Sequence, residues 1–124
     1  MKGDPCGESC LVRVRVDPGI CGFACTIEAW KSGHRETSVK IKECECNQIR
    51  LLDKKLSKIK VRDIFVSGAQ NKVFRLSGTV GCHASCPIPV AVVKACEVAM
   101  GMALPKNVRI TFEFVRKEGG NAES

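Results

Sequence analysis

The chain has no tyrosine, one tryptophan and only five phenylalanines, so aliphatic side chains and cysteine must fill its core. It has no Cys-x-x-Cys pair, no Ser-His-Asp pattern and no glycine-rich loop of the kind that cradles phosphate, which removes the commonest signatures of catalysis. No apolar run opens it: MKGDPCGESC is not a signal peptide. The longest apolar stretch, residues 87–104, is interrupted by Lys94 and Glu97 and begins Pro-Ile-Pro, so it reads as a buried helix and not a membrane span. These absences point to a cytoplasmic protein without a membrane partner. Its nine cysteines are an odd number, which argues against a closed disulfide framework. In a reducing compartment such thiols bind metal, react, or pack as small hydrophobes.

What is present fits one globular domain over residues 1–124, with a loose arm at 1–9 and a disordered tail at 117–124. The composition is 44% hydrophobic and 27% charged, ordinary for a folded chain. A formal charge of +7 permits contact with nucleic acid or acidic partners. The lysines at 54, 55, 58 and 60, however, fall where a helix has its solvated face.

Alternation predicts three strands early in the chain. Residues 11–16 place Val12, Val14 and Val16 opposite Arg13 and Arg15. Asp17-Pro18-Gly19 is a turn, after which 23–31 faces Phe23, Cys25, Ile27 and Ala29 inward. Residues 36–43 follow with Val39 and Ile41 inward. A helix over 47–59 carries the stripe Ile49, Leu52, Leu56 and Ile59. The stretch 61–80 suggests two short helical pieces, at 61–65 and 71–76. The helix from Pro87 is apolar on most of its surface and ends at Gly101 and Pro105. Residues 108–116 then alternate Val108, Ile110, Phe112 and Phe114 with polar neighbours, giving the clearest strand pattern in the chain. The fold class expected is α+β: a two-layer sandwich with a four-stranded, mainly antiparallel sheet and helices packed on one face.

In such a meander, Cys21 begins the second strand while Cys44 and Cys46 follow the third, all at one edge of the sheet. The return of the chain before the apolar helix brings Cys82, His83 and Cys86 to the same edge. Cys46 and Cys86 sit at helix N-termini, where the dipole favours a thiolate. The candidate metal ligands are therefore Cys21, Cys44, Cys46, Cys82, His83 and Cys86, a donor set suited to zinc or an iron–sulfur cluster. Cys10 falls at the far end of the first strand, Cys25 is in phase with the core, and Cys96 is inside the apolar helix.

The pieces Cys21-Gly22-Phe23, HASCPIPVAVVKACEVAMGMALPKNV from His83, and the helix start at Cys46 resemble a family of short uncharacterised proteins of anaerobic bacteria and archaea. The likeness spans roughly 11–116. It implies a Cys21, Cys46, His83 and Cys86 constellation and supplies no substrate. Cys6, Cys10, Cys25, Cys44 and Cys82 go beyond that pattern.

Three functions are in view. The leading one is a small cysteine-rich metal-binding protein. The second is a thiol redox or sulfur-transfer protein with Cys86 as nucleophile and Cys82 or Cys21 resolving. The third is a docking module using a basic sheet face of Arg13, Arg15, Lys40, Lys42 and Arg109 beside Trp30, with the cysteines merely packed. Nucleic acid and a second copy of the chain are the partners left open.

Overall fold

The computed structural model describes residues 11–118, so the arm at 1–9, with Cys6, and the neighbouring Cys10 lie outside the described residues, as does most of the tail. The chain runs β1 (Val12–Val16), β2 (Cys25–Gly33), β3 (Glu36–Lys42), α1 (Asn47–Leu56), β4 (Lys58–Lys60), α2 (Val61–Ile64), α3 (Lys72–Val80) and α4 (Ile88–Ala99). This is an α+β fold whose four strands form an antiparallel sheet in the order β1-β2-β3-β4. Among the described residues, no helix is long and apolar enough to cross a membrane.

Register follows from the alternation. Val14 stands opposite Ile27 and Ile27 opposite Ile41, with Ala29 opposite Val39, so the apolar residues share one face. That face forms a single core with Leu52 and Leu56 of α1 and Val92, Ala95 and Cys96 of α4. Helix α4 lies over β2 and β1, α1 over β3, and α3 touches both helices. Complete burial of Ile27, Leu52, Leu56, Ile59 and Ile88 contributes about 1.5–3 kcal/mol for each side chain.

Across the sheet, Glu28 is buried on the central strand between two cations. Arg13 Nη2 is 2.9 Å from one carboxylate oxygen and Lys42 Nζ is 3.1 Å from the other. Hydrogen bonds from Lys42 and then Arg13 hold its carboxyl below the usual range, outweighing the opposing effect of burial. Lys40 pairs with Asp53 at 3.1 Å. Three cations of the expected basic docking face are thus already engaged.

Three expectations need correction. The fourth strand is Lys58–Lys60, not 108–116. Ile59 belongs to no helical stripe, because α1 stops at Leu56 and the Lys-Ile-Lys alternation pairs instead with Glu36–Ser38. Residues 108–116 form no strand among the described residues, and Ile110, Phe112 and Phe114 stand in solvent and not against the core. Phe23 also lies outside the sheet, since β2 begins only at Cys25.

Candidate thiol site

The chain changes direction at one end of the sheet, and the cysteines collect there. Gly19–Cys21 is a 3-10 turn closed by Gly22 in the left-handed region, so the backbone of Cys21 ends that turn. Cys46 caps α1 in extended conformation, and its thiol donates to Gln48 Oε1 at 3.3 Å. Helix α3 starts at the buried Asn71, whose side chain accepts from the Val73 and Phe74 amides. It ends at Gly81, whose φ of 85° lets the Cys82 amide turn back onto the Ser77 carbonyl at 3.0 Å. The His83–Cys86 turn is closed by the Cys86 amide on the His83 carbonyl at 3.1 Å, and Pro87 then caps α4.

Cys46, Cys82 and Cys86 line one cavity of about 110 Å³, with His83 at its exposed rim and Pro18 and Phe23 forming another wall. The three half-buried thiols thus arrive from two junctions of the chain, Cys46 from that between β3 and α1 and Cys82 and Cys86 from that between α3 and α4. Burial pushes the Cys82 thiol up to about 11, with the charges of Cys86 and Cys46 adding to the shift. Each thiolate would raise the cost of forming the next. Cys96 lies in the core instead, and burial followed by Glu97 pushes it up to about 12. Among the described residues, no group of three or more His, Cys, Asp or Glu side chains is already gathered as a metal site.

Cys44 lies elsewhere. Its sulfur is joined to Cys25 in a disulfide within the core, with the Cα atoms 4.6 Å apart. Both cysteines had been expected to remain thiols, Cys44 as a candidate ligand. The signal that finds this pair is register. Thr26 faces Lys42, so one step further Cys25 meets Glu43. Glu43 adopts φ 56°, held by the Thr26 hydroxyl donating to its carboxylate at 2.8 Å, and the next residue turns into the core beside Cys25.

An α+β sheet with a cysteine-lined cavity at one end defines the class of protein, and the sequence itself defines the family. Residues 12–112 match the model of the family of unknown function DUF6951, and the chain belongs to that family. No curated protein and no solved structure matches it.

Proposed function

We propose that the cavity is a thiolate metal site, formed by Cys46, Cys82 and Cys86 with a fourth ligand from His83 or Cys21, and that zinc or an iron–sulfur cluster is the group it holds. The observation carrying this reading is the meeting of three cysteines from separate elements at one small cavity. Their mutual charge repulsion disfavours three thiolates alone, and a bound cation converts that repulsion into attraction while the thiols release their protons. Loading requires the sulfurs to close to about 3.5–4 Å from one another, as metal–sulfur bonds near 2.3 Å dictate. The reading requires side-chain rotation to supply that closure. A protein of this kind works in a reducing cytoplasm.

Elemental analysis and absorption spectroscopy of anaerobically purified full-length protein test the proposal. Stoichiometric zinc without colour, or broad visible absorbance with iron and sulfide, is expected. Cys46→Ser and Cys86→Ser should lose the metal while Cys96→Ser keeps it. Metal-free protein that also fails to take up zinc in an anaerobic titration overturns the reading.

The Cys25–Cys44 disulfide favours thiol–disulfide chemistry as a second reading. Cys44 is separated from Cys46 only by Glu45, so a thiolate at Cys46 could exchange onto Cys44 and release Cys25 as thiolate, with no net oxidant consumed. A mixed Cys44–Cys46 or Cys46–Cys86 disulfide trapped by rapid alkylation and peptide mapping would mark this path.

A further inference from the structure

We propose that residues 108–116 are a strand exchanged between two copies of the chain, each docking its segment on the open edge of its partner's β1. The segment follows α4 and is not a strand of the sheet. Ile110, Phe112 and Phe114 are 73%, 90% and 106% exposed, a concentration of large apolar side chains that a lone soluble chain does not leave in water. Its strict alternation has no use in a loop. It suits a strand with one dry face and one wet face.

The fold supplies a matching acceptor. Among the described residues β1 is paired only with β2, so its outer side is an edge of the sheet. Val12, Val14 and Val16 remain half-exposed there, whereas Ile27 and Ala29, on the same face of the next strand, are completely buried. The difference is one missing neighbour. Seating Phe112 opposite Val14 puts Val12 and Val16 against Ile110 and Phe114, all on the side covered by α4. It also sets Glu113 on the arginine face, opposite Arg13 if the strand runs antiparallel and opposite Arg15 if parallel. In the parallel arrangement Glu113 supplies a counter-charge to Arg15, which makes no salt bridge among the described residues; in the antiparallel one it joins Arg13 and Glu28.

The occupant is a second copy because every residue from 104 to 118 is exposed, so the segment is not seated on its own chain. Residues 103–107 between the helix cap and the strand reach roughly 17 Å when extended, enough to cross to an adjacent molecule. Reciprocal exchange closes into a twofold dimer and leaves no open β1 edge.

Light scattering and isotope-filtered NMR on the full-length chain test this. Refolding labelled and unlabelled protein together should give a dimer mass and contacts between Val14 methyls and the Phe112 ring across the label boundary. Phe112→Asp should weaken the dimer by ~100-fold or more, since two buried rings are lost per dimer, while circular dichroism shows the rest of the fold intact. A monomer whose Val14–Phe112 contacts are intramolecular overturns the exchange. So does a chain whose 108–116 amides exchange at unstructured rates.

Discussion

Replacing Asn71 by alanine should cost about 2–3 kcal/mol. The residue is 2% exposed and its amide makes three hydrogen bonds. Its oxygen accepts from the Val73 amide at 3.0 Å and the Phe74 amide at 3.3 Å, satisfying two of the donors that any helix start leaves unpaired. Its nitrogen donates to the Val66 carbonyl at 2.8 Å. Loss of the cap is worth about 1–2 kcal/mol, and stranding the carbonyl adds about 1 kcal/mol. In a two-state urea titration the midpoint should fall by roughly 1–2 M at unchanged slope. Asn71→Asp separates the contributions, because it keeps the acceptor and gains dipole energy but loses the donor, so it should lie between wild type and alanine. A second readout connects the cap to the site. Helix α3 delivers Cys82 to the cavity, so fraying its start should speed Cys82 alkylation while Cys96, in the core, stays protected until global unfolding. An alanine variant within about 0.5 kcal/mol of wild type, or an aspartate variant worse than alanine, refutes this account.

Thr37 is completely buried and its hydroxyl makes no hydrogen bond among the described residues, so Thr37→Val should stabilise the protein by about 1 kcal/mol in the same titration. Glu28 has a lowered pKa, so its contribution is complete above the ordinary carboxylate value of 4.5 and is lost as pH falls through the depressed folded value. Glu28→Gln should therefore flatten the loss of urea midpoint at acidic pH; an unchanged acid limb counts against the Arg13–Glu28–Lys42 arrangement. With its pKa near 11, Cys82 in metal-free protein should show an alkylation rate rising about tenfold per pH unit up to pH 10. Levelling off near pH 8.5 would contradict the burial of Cys82 and, after it, the crowding of thiols in the cavity.

The sequence was most legible where one period ran without competition. The three early strands, the stripe Ile49-Leu52-Leu56 and the apolar helix after Pro87 were each set by a single repeating pattern, and the structure has them in place. Ile59 was misread because a residue three beyond Leu56 continues a helical stripe and also, between Lys58 and Lys60, centres a strand. Tertiary pairing decided it, through the Val39 amide on the Ser57 carbonyl and the Val61 amide on the Arg35 carbonyl, both at 3.0 Å. Residues 108–116 failed differently. Their pattern is that of a strand, but alternation specifies a face and not a partner, and no described strand pairs with them. α3 was read too short because its end depends on Gly81, which bends the chain only once the Cys82 amide has reached Ser77.

The cysteine cavity explains why no local spacing motif announced it. A knuckle places two ligands on one turn and is therefore visible as a short repeat. Here each cysteine enters from the end of a different element, and what unites them is the arithmetic of the meander: β1 ends, β2 begins and β3 ends at the same edge, and α3 hands the chain back to it before α4 leaves. The short stretch Cys44-Glu45-Cys46 shows how finely that arithmetic divides roles. The left-handed Glu43 turns Cys44 into the core, where it is tied to Cys25, and Cys46 is left at the cap of α1 facing the cavity. The disulfide thus anchors the backbone two residues before the first cavity thiol, on the rigid end of β3. A site assembled from mobile loops would pay conformational entropy on closing around a ligand. This one hangs from a helix cap, a glycine-terminated helix end and a proline-capped helix start, which limits the backbone freedom lost on closing.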